Sequence, residues 1–419
     1  MNTQNTENGN EVVLVATSRT AIGKTGGMLH TVDAAEMAAH VLKCAVAKAK
    51  IKHLSQIDKV VCGQAVQSYF APNIARMATQ MAGLPESIDC FTVQQQCASG
   101  MNALYQIYSE IVAGRIELGV AIGVESMSLT PLIVDGHERY RGFNKWLTTS
   151  SPKALRKLFK SYGPLPYFGI AETGLGPRTI ASDPGKLFML KTAQIVANML
   201  DISREDADKY SAQSQERALR AIASGRFARE IDAMVIPGVG VIDTDEHPRK
   251  TNLASLAKLP TLAGTGLITA GNASGMGDGA CAVVMCTRAM AAKLGVKPLA
   301  RLVDMRFSGR HAHSMGLGPV NAVNDLLIAN GLTVADIAYW ELNEAFSYQA
   351  LACIKVLGLD QSKVNCNGGG ISLSHPLGMT GARIAASAAY ELADRQGRYA
   401  VFTLCVGGGM GAAGLLELA

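Results

Sequence analysis

Two kinds of run alternate along the chain. Short apolar runs bounded by turn residues read as buried strands at 11–16, 60–63, 91–95 and 118–124. Between them, apolar positions at helical spacing predict helices at 33–50, 73–82 and 101–113. The same grammar returns after Ala280, with strands at 281–286, 337–342 and 400–404 and helices at 289–294, 321–330 and 381–395. The run 400–404 reads as the last strand. Strands alternating with helices predict an α/β fold with a largely parallel sheet, covered by helices on both faces.

The halves also match locally. Cys97-Ala98-Ser99-Gly100-Met101-Asn102-Ala103 lines up with His375-Pro376-Leu377-Gly378-Met379-Thr380-Gly381, and a long helix follows each. The strand 120–124 corresponds to 402–406. This predicts an internal duplication about a pseudo-twofold axis. Equivalent helix starts then face each other near the axis, and Cys97 meets His375 although far from it in sequence.

A different region lies between the halves, at about 127–270. Its first part holds Pro131, Pro152, Pro164, Pro166, Pro177 and Pro184 and reads as irregular. A helix follows at 203–224, with Ser203 as its cap and Asp206 in its first turn. Arg139, Arg141, Lys145, Lys153, Arg156, Lys157 and Lys160 make 139–160 basic. That stretch is open to three readings: a solvated surface, attraction of a polyanionic ligand, or docking to a partner or lipid surface.

Composition narrows the class. Of 419 residues, 48% are hydrophobic and 17% charged, which excludes a disordered chain. The net charge of +5 suits an anionic ligand without arguing for nucleic acid. The nine cysteines form no Cys-x-x-Cys pair, so neither a zinc site nor a disulfide framework is expected. No apolar run is long enough to span a membrane, and residues 1–10 lack the pattern of a signal peptide. A cytoplasmic location is the expectation.

Candidate chemistry begins at Cys97. It precedes small residues and a helix, where unpaired N–H groups and the helix dipole favour a thiolate. A lone cysteine is more often an inert core residue. Three later segments change that balance. Asn343-Glu344-Ala345-Phe346 ends a strand, Asn367-Gly368-Gly369-Gly370 leads to His375, and Cys405-Val406-Gly407-Gly408-Gly409 follows a strand. Each sets a reactive side chain among residues that let backbone N–H groups turn inward, at strand ends where such folds bind ligands.

With these segments the chain resembles the thiolase family. Its markers are Cys97-Ala98-Ser99-Gly100, Gly123-Val124-Glu125-Ser126-Met127, Asp245-Glu246-His247-Pro248-Arg249, Gly271-Asn272-Ala273-Ser274-Gly275 and Met315-Gly316-Leu317-Gly318-Pro319. The resemblance runs from Arg19 to the C-terminus. It implies duplicated βαβαβ halves in a layered α-β-α-β-α core, with an inserted loop domain. The divisions would be 1–126 plus 277–298, 127–276 as the insertion shaping the coenzyme A pocket, and 299–419.

The resemblance also implies roles. Cys97 is the nucleophile, His375 its base, and Cys405 the acid/base for the enolate. His375 and a water held by Asn343 form one oxyanion hole, and the N–H groups of Cys97 and Gly407 the other. Ser274 meets pantetheine, Arg249 the nucleotide end of coenzyme A, and Met189, Met315 and Phe346 line the pocket. No metal and no tightly bound cofactor are implied; coenzyme A is the co-substrate.

Three functions follow: degradative thiolysis of 3-oxoacyl-CoA in β-oxidation, biosynthetic condensation of two acetyl-CoA, or an inactive CoA-binding subunit. A homodimer or homotetramer is implied, with room for a β-oxidation complex partner. Two departures from the family pattern stand out: Gln94-Gln95-Gln96 replaces Asn-x-x before Cys97, and Phe188 stands for a pocket histidine. Glu344 reads as loop support, and His247, His311 and His313 as structural or surface residues.

Overall fold

The apolar runs become strands whose neighbours are set by how the chain returns to the sheet. The structure is a computed structural model that describes residues 11–68, 71–130, 189–262 and 265–419. The first half runs β1 (Val12–Arg19), β2 (Gly23–Lys24), α1 (Ala34–Lys48), β3 (Lys59–Gly63), α2 (Ile74–Met81), β4 (Asp89–Val93), α3 (Ser99–Val112) and β5 (Leu118–Ser126). Next come α4 (Met189–Met199), α5 (Arg204–Ala223), the hairpin β6 (Met234–Ile236) and β7 (Gly240–Ile242), and α6 (Leu253–Ala257). The chain then forms β8 (Gly277–Thr287), α7 (Arg288–Leu294), β9 (Ala300–Gly309), α8 (Gly318–Ala329), β10 (Ile337–Leu342) and α9 (Ser347–Leu357). It ends with α10 (Gly370–Leu373), α11 (Leu377–Arg395), β11 (Tyr399–Val406) and β12 (Met410–Leu418). Side-chain caps start several helices: Asp33 accepts from Ala35 N, Asn73 from Arg76 N and Ser203 from Asp206 N.

The strands hydrogen-bond in the order β10-β11-β12-β9-β1-β8-β5-β3-β4. The run β1-β8-β5-β3 repeats as β9-β12-β11-β10 with the same orientations, so the duplication is present in the backbone. Equivalent strands β1 and β9 meet antiparallel at Val13↔Arg301 and Leu14↔Ala300, as a twofold axis between them requires. The sheet is mixed, however, and not largely parallel. Among the described residues only the strand pairs β3–β4, β3–β5 and β10–β11 are parallel, each made by a helical crossover. A hairpin leads into β12, and β8 follows the long central excursion. Both enter from the opposite end and pair antiparallel.

Helices cover both halves in layers. α1 and α2 pack on one face of the first half, around Val41, Leu42 and Ile74. α8 covers β9, β11 and β12, with α9 beside it. α3 and α11 lie between the halves and share a core of Met101, Leu104, Met379 and Ile384. The expected α-β-α-β-α layering results. Covered on both sides, β5 and β8 are buried at every position.

The central helices cross at glycines. A Cβ on Gly100 would sit 2.5 Å from the Gly378 carbonyl oxygen, and one on Gly381 2.3 Å from Met101 N. Gly378 in turn presses on the carbonyls of Val124 and Gly63. Only a residue without Cβ permits this approach. It also explains why α3 and α11 begin before their expected starts at 101 and 381. Glycine has poor helix propensity, and tertiary packing overrides it here.

Besides the short β2, β6 and β7, two long strands were not evident in the sequence pattern. β9 mixes Arg301, Asp304 and Arg306 among apolar residues, and β12 is rich in glycine and alanine, which lack strand preference. Both are held by pairing along the sheet, so 400–404 is not the last strand. The proline-rich 131–184, the basic stretch 139–160 and Phe188 lie outside the described residues. No helix among the described residues is long and apolar enough to cross a membrane.

Gly100→Ala is expected to lower the unfolding free energy by about 2–3 kcal/mol, read from urea denaturation. An unchanged midpoint would show that the crossing has slack.

Candidate active site

Cys97 and His375 are delivered by equivalent turns. Past β4 the chain turns sharply, with Ser99 Oγ donating to Gln96 O at 2.7 Å and accepting from Gln95 N at 2.9 Å. Gln96 takes a left-handed φ of 49°. Its duplicate Ser374, just before His375, has φ 82° and ψ 169°. Both residues that present the reactive side chains therefore sit in backbone regions L-residues avoid. Cys405 lies near the end of β11, and Gly407 follows in the turn to β12.

These residues open on one cavity of about 620 Å³. Cys97, His375, Cys405 and Gly407 line it, with Met189, Met315 and Phe346 as apolar wall. Ser274 and Arg249 line it too, and Ser274 N donates to Ala345 O at 2.9 Å. Asn343 is fully buried behind His375, and its Nδ2 donates to His375 Nε2 at 3.4 Å. Asn343 Oδ1 is buried without a hydrogen-bond partner among the described residues. The size and apolar lining fit an organic ligand, with the polar groups gathered at one place.

The tautomer of His375 follows from its neighbours. Thr380 Oγ1 donates its one proton to Pro376 O at 2.8 Å, so it accepts from His375 Nδ1–H at 2.6 Å. The Nε2 lone pair, held among the described residues only by the long 3.4 Å contact from Asn343 Nδ2, is the base. Burial, then the Arg383 charge, lowers the His375 pKa to about 3. Burial raises Cys97 to about 11 against hydrogen bonds from the Gly407 and Cys97 N–H groups. The expected thiolate at the helix start is therefore corrected. The N–H donors are in place, but desolvation outweighs them, and the resting pair is a neutral thiol and a neutral imidazole. Cys405 is raised well above an ordinary thiol, by burial and then by its neighbours Cys97 and Cys353.

Other residues shape the site. The Glu344 carboxylate accepts from Tyr210 Oη, Ser214 Oγ, Asn365 Nδ2 and Ile371 N at 2.7–3.2 Å, which bears out loop support. Glu125 carries more than its place in a motif suggested. It accepts from Ala65 N and Gly378 N, each at 3.0 Å, and so holds the first turn of α11. Burial raises its pKa to about 8 despite those donors. A carboxylate inside an apolar strand was the available signal. His247, expected to be structural or on the surface, lines the cavity with Lys24. Its Nδ1–H donates to Ser372 O at 3.1 Å. His311 and His313 stack on each other at 4.7 Å and are not among the cavity residues.

Comparison with known proteins decides the family. The thiolase N-terminal domain matches residues 12–289, and the thiolase C-terminal domain matches residues 296–418. The chain belongs to the thiolase family. It is 38% identical to an acetyl-CoA acetyltransferase of Syntrophomonas wolfei, over 97% of this chain and 99% of that protein. It is 40% identical to the 3-oxoadipyl-CoA/3-oxo-5,6-dehydrosuberyl-CoA thiolase of Escherichia coli, over 95% of this chain and 97% of that one. The crystal structure of human mitochondrial 3-ketoacyl-CoA thiolase in complex with CoA superposes with a TM-score of 0.85 at 33% identity, covering 98% of both chains. As a thiolase, the chain is an acyltransferase with coenzyme A as substrate.

The neutral resting pair has a measurable sign. A pKa raised to about 11 leaves Cys97 protonated at neutral pH, and its thiolate fraction grows as pH rises. Alkylation of the Cys97 peptide by iodoacetamide, followed by mass spectrometry, should accelerate throughout pH 7–10. A plateau below pH 8 would contradict it.

Proposed function

We propose that this thiolase cleaves 3-oxoacyl-CoA with coenzyme A, giving acyl-CoA and acetyl-CoA through an acyl-Cys97 intermediate. The observation that carries this reading is the convergence of Cys97, His375, Cys405 and Gly407 on one cavity.

His375 Nε2 takes the Cys97 proton as sulfur attacks the 3-keto carbon. The bond between C2 and C3 then breaks, leaving the acyl group on sulfur and the enolate of acetyl-CoA. The Cys405 thiol gives its proton to C2; its raised pKa keeps that proton available. Coenzyme A then passes its thiol proton to the Cys405 thiolate and attacks the acyl carbon. Cys97 leaves as thiolate and recovers its proton from His375. The Cys97 and Gly407 N–H groups serve oxygen anions at the acyl carbon. Asn343, beside His375 Nε2, would hold the water that completes a second hole for the enolate oxygen.

Because both thiol and imidazole rest neutral, charge arises only with the reacting substrate. Buried, fixed donors are most effective at that moment. Met189, Leu190, Met315 and Phe346 support an apolar acyl group, and Lys24 and Arg249 support the phosphates of coenzyme A. Met189, Arg249 and Ser274 come from 127–276, in keeping with an inserted segment that shapes the coenzyme pocket. Biosynthetic condensation is the second reading, favoured by the name of the Syntrophomonas relative. An inactive subunit is disfavoured, since the thiols and the imidazole share the cavity. We further propose a homodimer or homotetramer in the cytoplasm. β4 ends the strand order and pairs only with β3 among the described residues, so one edge is open to a subunit.

Thiolysis of acetoacetyl-CoA and of a long-chain 3-oxoacyl-CoA should be measured for wild type and Cys97→Ala. The variant is expected to lose activity by about 1,000-fold or more. A higher rate on the long chain supports the degradative reading, and activity confined to acetoacetyl-CoA supports the biosynthetic one. An inactive wild type, or an active variant, would overturn the proposal. Cys405→Ser should slow the enolate step by about 100-fold or more while Cys97 still takes an acyl group from acyl-CoA. Normal turnover would remove the acid from Cys405.

A further inference from the structure

The backbone just before His375 adopts a conformation that serine does not favour. Ser374 has φ 82° and ψ 169°, a region populated almost only by glycine because Cβ crowds the carbonyls there. Nothing in the chain's connectivity demands a serine, and a glycine would rest here without strain. The serine brings a hydroxyl, and that hydroxyl uses its one proton in a hydrogen bond. Ser374 Oγ donates to the Gly275 carbonyl at 2.7 Å, and the same carbonyl accepts from His375 N at 2.8 Å. Ser374 N is fixed as well, donating to Gly370 O at 3.0 Å.

Gly275 is itself closely packed. A Cβ there would fall 2.4 Å from His247 Nε2, and the preceding Ser274 N is bonded to Ala345 O. The space around the hydroxyl is equally tight, since a Cβ on Gly277 would lie 2.6 Å from Ser374 Oγ. The 274–277 loop lines the cavity through Ser274, Gly275 and Met276. It is thus joined to the base-bearing loop through one carbonyl.

We propose that Ser374 is a positioning residue for the His375 base: its hydroxyl bond to Gly275 holds a strained backbone that aims the imidazole into the cavity. His375 is then fixed from two sides. Thr380 holds Nδ1 and sets the tautomer, while Ser374 and Gly275 hold the main chain and set the direction of Nε2. Loss of the hydroxyl lets the strained peptide relax and swings the base, without removing it. This inference rests on the thiolysis reading.

Two substitutions separate strain from hydrogen bond. Ser374→Ala keeps the strain and removes the bond; Ser374→Gly removes both. Both are assayed for thiolysis beside wild type and Cys97→Ala, with thermal melting and iodoacetamide alkylation of Cys97 at pH 8 on each. The alanine variant should lose roughly tenfold in kcat with the KM for coenzyme A within about twofold, because a displaced base slows chemistry without weakening binding. The glycine variant should recover most of that loss, since glycine rests in the required conformation. Alkylation of Cys97 should follow the same order. If wild type is active and the alanine variant matches it in kcat, the inference is wrong. It is also wrong if alanine and glycine lose activity equally and in step with melting temperature. If wild type shows no thiolysis that Cys97→Ala abolishes, the thiolysis reading fails instead, and the alkylation series still reports on Ser374.

Discussion

α3 and α11 meet backbone to backbone, and the geometry of the site is set by that contact. Gly100 and Gly381 bring the helices together, while Gly378 presses on the carbonyls at the end of β3 and within β5. A single added methyl group at these positions would collide with main-chain atoms that cannot step aside. The crossing therefore has one depth. It places Cys97 and His375, which stand just before equivalent helix starts, on a shared cavity from opposite sides of a pseudo-twofold axis. Glu125 adds a bond across the same junction, from the end of β5 to Gly378 N.

Burial at that axis fixes the chemistry as firmly as it fixes the geometry. Desolvation pushes the Cys97 thiol up and the His375 imidazole down, so neither carries charge at rest. An isolated reactive thiolate would be prone to oxidation; a neutral thiol is less so. The N–H groups of Cys97 and Gly407 are already directed at the sulfur and cost no reorganisation when negative charge develops nearby. The left-handed Gln96 and the strained Ser374 fit the same picture, with local backbone cost accepted where the reactive groups must point inward.

Much of this was legible in the sequence, for identifiable reasons. The paired motifs at Cys97 and His375 announced the duplication because both need a glycine at the same offset, and the crossing shows why. Strands buried on both faces, such as β5, appear as plain apolar runs. What stayed hidden depends on distant partners. β12, rich in glycine and alanine, is a strand only because β11 and β9 flank it. The thiolate expectation failed because helix position is local, whereas desolvation depends on everything packed around the sulfur. His247 was passed over because its place in the cavity depends on a carbonyl 125 residues away, that of Ser372. The strain at Ser374 is a backbone property that no residue pattern records.

The central claim is that the axis assembles a cysteine nucleophile from a resting neutral pair. Incubation with acetyl-CoA in the absence of free coenzyme A, followed by acid quench, proteolysis and mass spectrometry, tests it directly. The account predicts one acetyl group on the peptide containing Cys97, lost again when coenzyme A is added, and strongly slowed formation in His375→Ala. Acetyl on Cys405 or another cysteine, or acetylation of Cys97 at an undiminished rate without His375, would contradict it.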